Sequence, residues 1–191
     1  MYKPKYTTMK SEDILIELKV LSSQDPIKKS ELMGILKKYA HTISVYDLMG
    51  LSERMRKEGE YLDEEYREHF LEIYIKNFIL RINELIALED YDDVDIDKDS
   101  FDETFPILER MFEKEALPGF EGDKFPLVYA VISLYVTYIT EEPIHHVGSE
   151  FPGNLKVEEI NGEYFCPVKE KHMDNVNATC HYCIAKQNPN I

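Results

Sequence analysis

The sequence predicts a mainly α protein: a multi-helix bundle over residues 1–142, followed by a small β-hairpin plus short-helix module over 143–191. Three observations carry that prediction. Apolar residues recur at helical spacing through the first three quarters of the chain. Capping signals punctuate those stretches. After Pro143 the composition shifts to Gly148, Pro152, Gly153, Asn161 and Gly162, with a hairpin pattern around an Asn-Gly pair.

The helices follow in order. Ser11 precedes an acidic first turn and then Ile14, Leu15, Leu18 and Leu21. Asp25-Pro26 reads as a second start, with proline at the first helical position, and Ile35, Leu36, Tyr39 and Ile43 continue its stripe. Ser44 and Asp47 form a capping pair for a helix through about Lys57, ended by Gly59. The longest helix is expected from Asp63 to Leu88, with Tyr66, Phe70, Ile73, Asn77 and Ile82 to Leu85 along its face. Ser100 to Glu103 reads as a capping box, with Pro106 in the first turn of a helix reaching Ala116. FPLVYAVISLYVTYI, residues 125–139, is apolar on every side. It falls short of the about 20 residues that a membrane-spanning helix needs, so it is expected as a central buried helix. LKVEEI-NG-EYFCPV reads as a hairpin with a type I′ turn at Asn161-Gly162. The segment after it reads as a loop and a short helix.

Charge narrows the function. Thirty-seven acidic residues against 22 basic give a net charge of -15. That surface repels phosphate backbones and anionic headgroups, so neither a nucleic acid nor a membrane is the expected partner; it suits a protein partner. The N-terminus lacks the apolar region of a signal peptide. An odd cysteine count without disulfide-framework spacing points to a reducing, cytoplasmic setting.

The three cysteines of the chain all fall within residues 166–183. Two residues separate Cys180 from Cys183, so one ion can meet both thiolates, and Cys166 arrives from the hairpin to a third position. A short, apolar-poor segment gains most from such a staple, and zinc is the expected metal. The fourth ligand has candidates in His145, His146 and His172; His181, wedged between the paired cysteines, is the poorest. An iron–sulfur cluster is the alternative cofactor, and a dithiol redox pair lacks the βαβ context it needs. A deaminase zinc site needs a His-x-Glu that does not occur. Two function classes stay open, a non-enzymatic protein with structural zinc and an enzyme or redox protein with an open coordination position.

IHHVGSEFPGN, YFCPVKEKHMDN and ATCHYCIAKQ together resemble the C-terminal signature of an uncharacterised archaeal family found mainly in methanogens. In that family a histidine stands at the place of His145, followed by a proline where this chain has His146, and none stands regularly at the place of His172. The resemblance therefore implies Cys166, Cys180, Cys183 and His145 as the metal ligands, and an archaeal cytoplasm.

Two weaker patterns remain. Asp93, Asp95, Asp97 and Asp99 alternate as in a calcium loop, but Lys98 takes the glycine position and Thr104 the bidentate glutamate position. A solvated acidic loop is the expectation. Glu65, His69 and Glu72 share one helix face, turned away from the apolar stripe, and are expected to meet water.

Overall fold

The computed structural model describes residues 10–61, 64–113 and 119–191, without the side chains of Glu65, Tyr66, His69 and Phe70. Helix α1 (Asp13–Ser22) buries Ile14, Leu18 and Leu21. A two-residue strand, β1 (Ile27–Lys28), leads into α2 (Lys29–Ala40), which buries Leu32, Met33, Leu36 and Tyr39. Proline 26 therefore does not open the helix; its peptide bond with Asp25 is cis, and the helix starts three residues later. The start is fixed from outside, because the Asp93 carboxylate accepts the Ser30 N–H at 2.8 Å.

Helix α3 (Val45–Glu58) has the expected Ser44–Asp47 capping box, and Gly59 ends it. Helix α4 (Glu64–Ala87) is the longest; Leu71, Phe78, Ile82 and Leu85 are buried on it, while Asp63, Tyr66 and Phe70 of the expected face lie outside the described residues or side chains.

The acidic stretch has structure of its own. β2 (Asp95–Ile96) pairs antiparallel with β1, Ile27 opposite Ile96. Asp95 pairs with Lys28 at 2.5 Å. The Asp97 carboxylate accepts the Ser100 N–H at 2.8 Å and so caps α5 (Lys98–Glu113). The acidic residues stay exposed, as expected, and two of them, Asp93 and Asp97, also cap helices. Ser100 lies inside the helix rather than at its cap, and Pro106 is interior; Ala116 is outside the described residues.

Helix α6 (Phe125–Leu134) begins with Pro126 in its first turn and continues as a π-helical turn, Tyr135–Ile139. Residues 130–139 are buried throughout, and α6 packs on α2, α4 and α5. This central helix is the one expected from its uniform apolarity, with its last turn widened. Lys29, 7% exposed, closes that end by donating to Glu141 at 2.6 Å and to the Ile139 carbonyl at 3.4 Å.

Beyond Pro143 the elements are short. β3 (Glu150–Phe151) pairs with β4 (Leu155–Lys156). β5 (Glu158–Ile160) and β6 (Glu163–Cys166) form the expected hairpin. Its turn residues Asn161 and Gly162 both have positive φ, 55° and 82°, as a type I′ turn requires. Helix α7 (Lys169–His172) follows, then a 3₁₀ turn (Thr179–His181), then β7 (Lys186–Gln187), which runs parallel beside β6. The expected C-terminal helix is therefore one 3₁₀ turn, and the sheet has a third strand the hairpin pattern did not announce. No helix among the described residues is long and apolar enough to cross a membrane.

Candidate metal centre

The cysteines reach one neighbourhood from three backbone devices. Cys166 ends β6, and the chain then turns through Pro167 into α7. In that turn burial raises the Cys166 pKa, and the backbone N–H groups of Val168 and Lys169 work against the rise. Cys180 and Cys183 share one turn, because the Cys183 N–H folds back to the Thr179 carbonyl at 3.1 Å. The Ile144 N–H, from the segment leaving α6, donates to Cys183 Sγ at 3.5 Å. Lys169 Nζ closes the group by donating to the carbonyls of Cys183 and Ala185 at 2.8 and 2.6 Å.

All three cysteines are free thiols. Burial pushes the Cys166 thiol up, and Cys183 beside it adds to the shift. Burial pushes Cys180 to about 11, with Cys183 and then Cys166 contributing. Lys169 opposes both shifts. The thiols therefore sense one another, and ionising them together would crowd negative charge into one half-buried place. They do not form a finished cage: among the described residues, no group of three His, Cys, Asp or Glu side chains stands ready to hold a metal ion.

The histidines separate clearly. His145 lies edge-on to the rings of Tyr74 and Phe151, with centroids 5.7 and 5.4 Å away. Its Nε2 is 2.6 Å from Tyr74 Oη. Burial, then the nearby His172 and His146, push it down to about 4, so its imidazole is neutral near pH 7. A neutral imidazole is the ligand form. His146 has Nδ1 2.5 Å from the Val147 carbonyl, and His181 has Nε2 3.0 Å from the Asn175 carbonyl. His172 is exposed at the end of α7. Glu72 is exposed, while the side chains of its expected partners Glu65 and His69 lie outside those described.

A set of hydroxyls that the sequence reading missed supports this region. Tyr129 Oη on α6 is 3.3 Å from Thr179 Oγ1, next to Cys180; burial raises the Tyr129 pKa, and Thr179 and then Tyr74 on α4 work against the rise. Tyr182 donates to the buried Ser133 Oγ at 2.9 Å. The usable signal was the tyrosines themselves: a buried phenol needs a polar partner, and Tyr74 and Tyr129 sit on otherwise apolar helix faces. A cavity of about 30 Å³, room for a water-sized group, lies between Tyr74, Ser133, Ile144 and His145.

Fold and site together define a mainly helical protein that carries three clustered free cysteines in a small C-terminal β region. The chain belongs to the family described as "Uncharacterized protein conserved in archaea (DUF2115)", which matches residues 28–188. A UPF0305 protein of Methanocaldococcus jannaschii is 30% identical over 162 residues, covering 84% of this chain and 96% of the relative. One from Methanothermobacter thermautotrophicus is 30% identical over 159 residues, 83% and 95% of the two chains. One from Methanopyrus kandleri is 28% identical over 126 residues, 66% and 87%. No solved structure matches the chain.

Proposed function

We propose that this cytoplasmic protein binds one zinc ion per chain through Cys166, Cys180 and Cys183, with His145 as the fourth ligand, and that the zinc is structural. The observation that carries the reading is the backbone N–H of Ile144 donating to Cys183 Sγ, beside which the N–H groups of Val168 and Lys169 favour the Cys166 thiolate. N–H donors favour a thiolate over a thiol, and donors of this kind orient metal-bound thiolates from outside the first coordination shell. The raised thiol pKa values describe the cost of ionisation without a cation. A divalent ion offsets that cost, since metals deprotonate the thiols they bind. Three thiolates, a neutral imidazole and Zn²⁺ sum to one negative charge, and Lys169 is the cation beside it.

The same pKa directions disfavour a dithiol redox role, which needs a thiol lowered toward neutrality. Zinc would supply folding energy, about 10 kcal/mol or more in zinc-finger peptides, to a segment otherwise poor in buried apolar surface. The acidic surface is then free to meet a protein partner. Elemental analysis of protein purified without oxygen tests the reading. One zinc per chain, lost in Cys183→Ser, is expected. Stoichiometric iron, or metal-free protein with Cys180 and Cys183 oxidised to a disulfide, contradicts it and moves the iron–sulfur or redox alternative ahead.

A further inference from the structure

An asparagine interrupts the apolar stripe of α4. The sequence puts Asn77 on the face of Ile73 and Ile82, and the structure half-buries it. An amide inside a helix competes for backbone hydrogen bonds and adds nothing to apolar packing, so its presence there calls for a polar partner. Among the described residues it has none. Across the seam stands Ser149, 6% exposed. Its backbone is fixed on both sides: the Ser149 N–H donates to the His146 carbonyl, and the Ser149 carbonyl accepts the Val157 N–H, each at 3.0 Å. Its buried hydroxyl, by contrast, has no hydrogen-bond partner among the described residues.

Both side chains line the cavity of about 30 Å³, between walls that include Phe78, Ile132 and Ile144. A cavity of about 10–15 Å³ already holds a water, provided that about two to four polar groups reach it. This one has the room, an amide on the α4 side and a hydroxyl on the other. The guanidinium on its lining, Arg81, already meets Glu84 at 2.9 Å and also Glu142. Asn77 and Ser149 are neutral, and each can donate and accept, which suits a neutral guest over an ion. A buried hydroxyl left without a partner is costly, and one water satisfies both groups at once.

We propose that this cavity is a hydration site, in which one ordered water bridges the Asn77 amide and the Ser149 hydroxyl. The bridge joins α4 to the segment that leaves α6, and it is independent of the metal. It gives Asn77 a task in a stripe otherwise built for burial.

A crystal structure of the 191-residue protein, at a resolution that shows waters, tests the site. It is read beside amide hydrogen exchange at Val157, whose N–H the Ser149 carbonyl holds. The expected structure has a water within hydrogen-bond distance of both side chains. Ser149→Ala is expected to lose that water and to speed exchange at Val157 about 10-fold, and Asn77→Leu to do the same. The double variant is expected to exchange no faster than either single one, because apolar groups on both sides remove the need for the water. A cavity without a water, or with an ion or an organic molecule in its place, overturns the proposal. A water that reaches one of the two side chains and not the other overturns the bridge, and so do effects that add in the double variant. The wild-type structure decides even where a variant does not fold.

Discussion

Residues 13–139 and residues 143–191 bury their side chains in different ways. The first stretch has helices of 10 to 24 residues and one continuous apolar cluster that begins at Ile14 and stops at Ile139. The second has strands of two to four residues and a four-residue helix. Val157, Cys166, Tyr182 and Ala185 are its buried apolar residues among those described, and none belongs to the large cluster. Ile144 packs against that cluster, and polar contacts also tie the segment to the helices: Arg110 to Asn177 and the Val176 carbonyl at 2.8 and 2.6 Å, Tyr182 to Ser133, and Tyr74 to His145. A helical bundle gains stability with every apolar side chain it buries. A segment of short strands has few such gains to set against its conformational entropy, which is why the clustered thiols belong to that segment and not to the bundle.

That contrast can be broken most strongly in the bundle. Leu36 is fully buried in the cluster. Leu36→Ala is expected to cost about 3 kcal/mol, seen as a lower denaturant midpoint for the loss of helical circular dichroism. A cost under about 1 kcal/mol would mean that the bundle does not rest on this packing. At the seam, Tyr182→Phe leaves the Ser133 hydroxyl without its donor in a buried place. The expected cost is about 1–2 kcal/mol, with hydrogen exchange rising in 143–191 before it rises in α6. Equal rises in both would merge the two regions.

Smaller effects sharpen the comparison. Burial alone would raise Asp47, but the Ser44 hydroxyl and N–H, and then Lys124, hold its carboxyl below the usual value near 3.8. A lowered folded pKa adds stability that is complete above 3.8 and is lost as pH falls through the folded value. The difference between wild type and Asp47→Asn, about 1 kcal/mol for such a cap, is therefore expected to be constant near neutrality and to shrink below about pH 4. A constant difference down to pH 2 would deny the carboxylate its role. Gly162 has φ 82° with open space where a Cβ would stand. Gly162→Ala is expected to cost about 1 kcal/mol of local strain, read as faster exchange in β5 and β6 with the bundle midpoint unchanged.

The bundle was the legible part of the sequence. Long stripes such as Ile14, Leu18 and Leu21, and the Ser44–Asp47 box, carry their information within one turn of helix, so spacing alone places them. Asn161-Gly162 is equally local. The misses depend on distant partners. Pro26 looks like a helix start, yet β1 pairing with β2 and the cap from Asp93 put the start at Lys29. Asp93, Asp95 and Asp97 are exposed, as expected; what the sequence did not show is the partner of each, Ser30, Lys28 or the start of α5, because the tertiary fold sets it. Ile184 is 37% exposed while Tyr182 and Ala185 beside it are buried, since a 3₁₀ turn does not place side chains at α-helical intervals. At the candidate centre, the clustering of the cysteines along the chain was legible. Tyr74 and Tyr129 were not, because a phenol on an apolar stripe looks the same whether or not its hydroxyl has a task.

The central claim is that metal holds residues 143–191 while burial holds the bundle. Limited proteolysis with mass analysis, with and without a strong chelator, tests it most directly. The expected result is one zinc released, cleavage appearing first between about residues 143 and 191, and most helical circular dichroism retained, because local and global opening draw on different sources of stability. Cooperative loss of the whole molecule on chelation would contradict the division, and release of zinc with no new cleavage would contradict a structural role for the metal.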